Sequence, residues 1–380
     1  TGYLSDRTVT RWGRRRPYIA IGAILLFGSM ILMFSTPQVE STALLFVVVT
    51  LLFCALSLAY TLVNIPYAAL LPELTENFDE RTTLTGYRMS FAVVGTLLGA
   101  GAVLPLVGAF GAGRAGWLGM GAVTGFIMLA SSFGTVWAIR EPKHTKDITG
   151  PGFLKTCAQV LGTRVFLKAL IPWTLFTGGT SVIQGSLIYY FTHIYGDEGL
   201  FQTALLFLLV ASLLFIPIWV LISKRLGKRT SYIIGISLMT VGVLLISTIG
   251  AEGRILFAFI VMVGAGVGLS THYVMPHSIL PDVVEYDVLK HGVRREGIYS
   301  SIWTFASKIG QAVALGITGL VLELGGYAPG VVADGSTRLA IRALCGPVPA
   351  VFYIAGIVIL AGYPITRSYY DRMMTTGTVD

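Results

Sequence analysis

The chain has 380 residues, 54% hydrophobic and only 12% charged, with a formal net charge of +8. Soluble domains carry about 25% charged residues, so this composition argues against a soluble enzyme. It also argues against nucleic-acid binding, which the basic balance alone would suggest. With a mean hydropathy of +0.76 and non-alternating apolar runs of about 20 residues, the composition points to a polytopic membrane protein built of helices.

Ten apolar spans follow in order, at 17–36, 43–65, 89–110, 117–138, 169–191, 201–222, 231–249, 255–280, 298–322 and 344–366. Of the 27 Lys and Arg residues, 22 fall in loops on one side of these spans and 4 in loops on the other, with Lys308 left inside a span. The positive-inside rule makes the basic side cytoplasmic, and with it both ends of the chain. The longest linker, 139–168, holds EPKHTKD and then Gly150–Pro151–Gly152. It divides the chain into an N-terminal bundle (1–138) and a C-terminal bundle (169–366), followed by a cytoplasmic tail (367–380). The loops GYLSDRTVTRWGRRRP and SKRLGKRTSY are basic, contain glycine and lead into a helix. Their recurrence marks an internal repeat of the kind that builds two-bundle transporters. Four spans before the linker and six after it predict two further helices ahead of Thr1. Glycine pairs Gly95/Gly99 and Gly121/Gly125 have the small-xxx-small spacing of close helix packing. Cys54, Cys157 and Cys345 show neither metal nor disulfide spacing.

Three stretches carry chemistry. In the opening loop, Asp6 stands beside Arg7, Arg11 and the run Arg14–Arg16. Such a loop can form ion pairs with acids at neighbouring helix ends, pairs that hold one conformation and break in another. In the second span, Tyr60, Asn64 and Tyr67 share one helix face beside Pro66: a stripe for a sugar ring, or a polar seam between helices. Arg88 opens the third span, as an interface anchor or a substrate contact.

The third stretch is PDVVEYDVLKHGVRREGIYSSIWTFASK (281–308). Its first half reads as a charged loop in which Asp282 and Glu285, with Arg295, contribute to a cytoplasmic gate against the opening arginines. Its second half enters a span. Lys308 lies ten residues in, roughly 15 Å deep, where a cation is costly unless it meets a partner or a watery cavity. Gly297, Ser301, Thr304, Lys308 and Gln311 form one polar stripe, with Trp303 beside it, expected to face the bundle interior. No span has Asp or Glu in its apolar interior, so a partner for Lys308 is expected upstream of Thr1. His272 reads as a proton carrier or a hydrogen-bonded histidine in a polar seam. Trp173, Thr177, Ser181 and Gln184 are further cavity candidates. GAGVG at 264–268 is no dinucleotide fingerprint, since no strand precedes it.

These stretches resemble the glycoside–pentoside–hexuronide:cation symporter family, melibiose-permease-like members of the major facilitator superfamily. The resemblance rests on DRTVTRWGRRRP, on 60–95 and on 280–310. It implies an all-α membrane fold of two six-helix bundles, here ten transmembrane helices with the first two missing. It implies substrate contacts at Tyr60, Asn64, Arg88, Tyr273, Thr304 and Lys308, with Trp303 beside them, and a cation site near Thr61 and Lys308. The position of Asn64 is an aspartate in the melibiose-permease pattern. The change keeps hydrogen bonding and removes a charge.

The expected function is cation-coupled symport of a sugar or glycoside-like solute across the cell membrane by alternating access. Na⁺ or H⁺ would be the coupling ion, with no cofactor, no metal and no nucleic-acid partner, and with the chain a monomer in the bilayer. The alternatives are a carrier of a lipid or other non-sugar solute on the same fold, and a transport-inactive sensor. An intramembrane enzyme is disfavoured by spans without acids.

Overall fold

The computed structural model describes residues 4–5, 8, 10–35, 41–75, 77–111, 113–139, 153–197, 199–248, 255–293, 295–328 and 334–378. Every regular element among them is helical: α1 (Arg16–Phe34), α2 (Thr42–Leu74), α3 (Phe78–Ala109), α4 (Gly113–Ala138), α5 (Phe153–Leu161), α6 (Arg164–Tyr190), α7 (Gly199–Leu226), α8 (Lys228–Thr248), α9 (Ile255–His291), α10 (Glu296–Leu324), α11 (Gly335–Cys345), α12 (Pro347–Ala361) and α13 (Arg367–Thr376). Among the described residues, nine helical segments are long and apolar enough to cross a membrane, or ten if the bent α3 counts as one span. This matches the ten spans of the sequence, except that α2 runs on to Leu74 and α3 begins at Phe78, and with three further differences.

Local chemistry sets the helix ends. The Ser41 hydroxyl accepts from the Leu44 N–H at the start of α2, and the Asn77 carboxamide accepts from Asp79 and Glu80 N–H before α3. Both are N-caps that satisfy donors the helix itself cannot. In α3 the axis bends by 43° between Asp79–Gly99 and Gly101–Ala109. Pro105, inside the helix, lacks an N–H and crowds the carbonyl four residues back, at Gly101. Asp334 caps α11 by accepting from Thr337 N–H, and that bond holds its carboxyl below the usual range.

The three differences concern 281–297, 344–366 and the linker. The first half of 281–297 is not a loop: α9 runs on through Pro276 and Pro281 to His291. Asp282 and Glu285 are thus helical, three residues apart and on one face. The last predicted span is α11 and α12 together, Gly335–Ala361, broken at Gly346. A Cβ at Gly346 would lie 3.0 Å from the Val243 carbonyl, so the chain breaks where it presses on α8. In the linker, 140–152 lies outside the described residues; α5 forms within it, and α6 begins at Arg164 rather than 169.

The helices group into two compact units. The first comprises Thr1–Glu76, Gly95–Thr156 and Val293–Ser301. In it α1 packs on both α2 and α4, with Ile19, Ala20, Leu70 and Val136 at the centre of a small core. The second comprises Asn77–Val94, Cys157–Gly292 and Ile302–Asp380. In it α9 packs along α7 and α8, and α12 along α6 and α8.

Glycines make these approaches possible. A Cβ at Gly121 would sit 3.0 Å from Phe34, and one at Gly125 3.0 Å from Phe27, so this pair seats α4 on α1. A Cβ at Gly95 or Gly99 would meet nothing within 4 Å, so the same spacing there marks no helix contact among the described residues. The GAGVG run serves packing too: a Cβ at Gly268 would lie 2.6 Å from the Gly235 carbonyl of α8.

Gly121→Leu is expected to overpack the α1–α4 contact and cost about 1–3 kcal/mol. Gly95→Leu should stay within about 0.5 kcal/mol of the parent. Thermal unfolding of the purified protein in detergent reads both. Equal losses at the two positions would refute this account of the packing.

Candidate substrate and gate sites

The second unit contains a buried charge cluster. Arg81, near the start of α3, donates from Nη1 to Asp282 Oδ1 at 3.4 Å and from Nη2 to Glu285 Oε2 at 3.2 Å. Its Nη1 also reaches the Tyr370 hydroxyl at 3.0 Å, and its guanidinium lies 5.7 Å from the centre of that ring. Lys228, the first residue of α8, donates to Asp282 Oδ2 at 2.6 Å and to the Ser278 carbonyl at 3.0 Å. Arg81, Lys228, Asp282 and Glu285 are all buried. A buried charge persists only when paired and hydrogen-bonded, and each of these four has at least one opposite charge within 3.4 Å. Arg367 of α13 extends the set, reaching Asp79 at 2.8 Å.

The basic opening loop has a different acid. Arg14 and Arg15 lie 3.4 and 3.6 Å from Glu296 Oε2, at the first residue of α10. Among the described residues, Asp282 and Glu285 pair with Arg81 and Lys228, and Arg14 and Arg15 with Glu296. The helical course of α9 turns both acids to one face, where Lys228 of α8 and Arg81 of α3 meet them. Arg11 is exposed, Arg295 is buried just before α10, and Asp6 and Arg7 lie outside the described residues.

A second cluster is aromatic. Trp173 of α6 stacks on Trp303 of α10, with centroids 5.5 Å apart and planes at 9°. Trp173 also stacks on His272 at 4.9 Å and meets His277 edge-on at 5.1 Å. The His272 Nδ1 shares a hydrogen bond of 2.8 Å with the Tyr232 hydroxyl. His272 is thus held in a polar seam, the second of its two sequence readings. The indole N–H groups of Trp173 and Trp303 and the Thr177 hydroxyl are buried without a hydrogen-bond partner among the described residues. Buried donors are nearly always satisfied, and Trp173 and Thr177 lie one turn apart on α6. Gly310 allows the approach: a Cβ there would be 2.7 Å from the Thr174 carbonyl of α6.

The predicted substrate residues divide between the units. In the second, Arg88 lies within electrostatic reach of His277, His277 bonds the Tyr273 carbonyl at 3.1 Å, and Trp303 stands in the stack. Thr304 is half-buried. In the stripe predicted to line the bundle interior, Gly297 is buried, Ser301 and Gln311 are half-buried, and Lys308 is exposed. The buried ridge of α10 is Trp303, Ser307, Gly310 and Ala314, one residue round from Thr304, Lys308 and Gln311, so the lysine escapes burial at the ridge's edge. In the first unit, Tyr60 is 49% exposed, Thr61 donates to the Ser57 carbonyl, Asn64 is half-buried, and Tyr67 packs on the core.

A family model described as MFS/sugar transport protein matches residues 1–367. The chain belongs to that family. It is a multi-pass transporter of the major facilitator fold. An isoprimeverose transporter of Lactiplantibacillus pentosus is 30% identical, over 96% of this chain and 77% of the relative. A sodium-dependent lysophosphatidylcholine symporter of Danio rerio is 25% identical, over 98% of this chain and 77% of the relative. Among solved structures, the E. coli fucose:proton symporter superposes with a TM-score of 0.71 at 11% identity, covering 96% of this chain and 86% of that one.

Sequence reading missed Lys228, Tyr232, His277 and Tyr370. Lys228 had a signal, its place in the repeat of the basic loop. Tyr232 and Tyr370 had none, because only the packing of α8 and α13 brings them to their partners.

Asp282→Leu alone and Lys228→Met alone should each destabilise the protein by about 3–5 kcal/mol, since each leaves a buried charge short of its partner. The double variant should lose clearly less than the two together. Strict additivity in denaturant or thermal unfolding would show that the pair is not coupled.

Proposed function

We propose that the chain is a cation-coupled symporter that moves a sugar or glycoside-like solute by alternating access. Family membership supports transport, and the isoprimeverose transporter, 30% identical, supports a glycoside. The observation that carries the substrate class is the Trp173–Trp303 stack with its unfilled donors. The indole N–H groups suit the ring and hydroxyl oxygens of a glycoside. Arg88 and Tyr273 flank the stack on the same unit. Tyr60, Asn64, Thr304 and Lys308 are further substrate contacts in this reading, and Thr61 and Lys308 attend the coupling ion, Na⁺ or H⁺.

The proposed gate is the cluster of Arg81, Asp282, Glu285 and Lys228, supported by Arg14 and Arg15 on Glu296. Arg81 comes from the first half of the chain and its partners from the second. In the proposed organisation, with bundles at 1–138 and 169–366 and both ends cytoplasmic, the cluster joins the halves on the cytoplasmic side and must break for that side to open. The protein works as a monomer in the cell membrane.

A second reading is a carrier of an anionic or zwitterionic lipid. The lysophosphatidylcholine symporter relative and the cations Arg88 and Lys308 favour it.

Uptake into proteoliposomes separates the two, using pentosides, hexosides and lysophosphatidylcholine under imposed Na⁺ or pH gradients. Glycoside uptake that rises with one gradient and falls more than about tenfold in Trp303→Ala is the expected result; a factor of ten corresponds to one lost contact of about 1.4 kcal/mol. Uptake of the lipid alone would sink the sugar reading. Asp282→Asn should slow transport more than it weakens substrate binding, and an uptake rate equal to the parent's would remove Asp282 from the gate.

A further inference from the structure

Where α7 turns into α8, the second unit carries an open cleft of about 330 Å³ lined by Arg225, Leu226, Lys228, Arg229, Arg367 and Asp371, among others. Its positive charge is only partly spent inside the protein. Lys228 is held by Asp282 and Arg367 by Asp79. Arg229 gives hydrogen bonds to the Ala361 and Tyr363 carbonyls, which carry no formal charge. Arg225 is exposed and has no hydrogen-bond or ion-pair partner among the described residues. Two guanidinium charges thus face the cleft without a counter-charge that engages them, and Asp371 alone opposes them from the lining.

The surface leading to the cleft is apolar. Leu214, Ile218, Leu221 and Arg225 recur at intervals of 4, 3 and 4, so they share one face of α7. Leu214, Ile218 and Leu221 are 61%, 40% and 63% exposed, and Leu226 in the lining is 50% exposed. From 214 to 225 is eleven residues, about 16 Å at 1.5 Å per residue. That is close to half of the roughly 30 Å hydrocarbon layer. An exposed apolar track one leaflet long, ending in unspent arginine charge, complements one kind of molecule.

We propose that this cleft binds the phosphate headgroup of an anionic glycerophospholipid, with an acyl chain lying along the exposed face of α7. Arg225 and Arg229 hold the phosphate, and the track excludes water from the chain. The site is separate from the Trp173–Trp303 stack and its occupation does not depend on which solute is carried. It does touch the gate through Lys228, which lines the cleft and binds Asp282.

The test uses the full chain purified in detergent. Thermal unfolding is followed during titration with phosphatidylglycerol, phosphatidylcholine or inorganic phosphate, and native mass spectrometry counts the lipids retained. Phosphatidylglycerol should raise the melting temperature, as any ligand of the folded state does, and should be retained in preference to phosphatidylcholine. Arg225→Glu should raise the half-maximal concentration of phosphatidylglycerol roughly fivefold to tenfold. Arg338→Glu, the same reversal at an exposed arginine of α11, should leave it unchanged. Should Arg225→Glu not fold, Arg225→Gln carries the same test through the loss of preferential retention. Equal effects of the two lipids, or no change in any Arg225 variant, would overturn the proposal. Stabilisation by inorganic phosphate equal to that by phosphatidylglycerol would assign the cleft to a free anion and overturn the lipid.

Discussion

Asp282 holds the second unit's charge chemistry together. It sits on α9 one residue past Pro281, with one carboxylate oxygen on Lys228 of α8 and the other on Arg81 of α3. Taking a carboxylate out of water costs several kcal/mol, which only charged partners in good geometry offset. The two cations meet the same cost and depend on Asp282 and Glu285. The cluster therefore constrains three helices at once. It also accounts for the course of α9. A proline in a helix interior frees the carbonyl four residues back, here that of His277, and loosens the turn before it; Lys228 donates to the next carbonyl in that turn, Ser278. The helix continues to His291 because its acidic end is anchored, although the sequence from Pro281 looks like a loop.

Much of this was legible in the amino-acid pattern, for identifiable reasons. The spans were legible because hydropathy over about 20 residues is a property of the segment itself. That Asp282, Glu285 and Trp303 would need partners was legible because charged and amphipathic residues at helix ends and in spans are costly without them. Partners were not. Arg81 and Arg14 are both basic residues near helix starts, and only the tertiary packing decides that one takes Asp282 and the other Glu296. Lys308 shows the limit of periodicity. A stripe at 304, 308 and 311 fixes which residues share a face but not how far each is covered: Thr304 and Gln311 are half-buried and Lys308 is exposed. The glycine pairs make the same point, since Gly121/Gly125 meets α1 and Gly95/Gly99, with identical spacing, has no atom within 4 Å of an added Cβ among the described residues.

The two clusters of the second unit share α9 and answer opposite demands. The aromatic cluster around His272 and His277 lies ahead of Pro281 and leaves donors unfilled. The ionic cluster lies at and after Pro281, where each charge has an opposite partner. An unfilled donor next to a rigid aromatic stack costs stability until something binds, so it suits recognition. A filled ion cluster costs stability when it opens, so it suits a latch. With both on one helix, a shift of α9 at its prolines would couple them without any further element.

The magnitudes fit a latch of this kind. Moving a two-state equilibrium from 1:99 to 99:1 takes about 5.5 kcal/mol of differential binding. Stripping a buried charge of one partner costs about 3–5 kcal/mol. In the proposed gate, opening would separate Arg81 from Asp282 and Glu285 but leave Lys228 with Asp282, since α8 and α9 are packed along each other. The cost then falls mainly on Arg81, which can reach water once the side is open. A latch of that strength holds against thermal opening yet lies within the reach of one solute and one ion binding together. Were both Arg81 and Lys228 to lose Asp282, the cost would exceed what a small solute's binding can offset. In the proposed gate, the distribution of the two cations, one on a helix from the first half of the chain and one on a helix packed beside the acid, would make the cluster releasable.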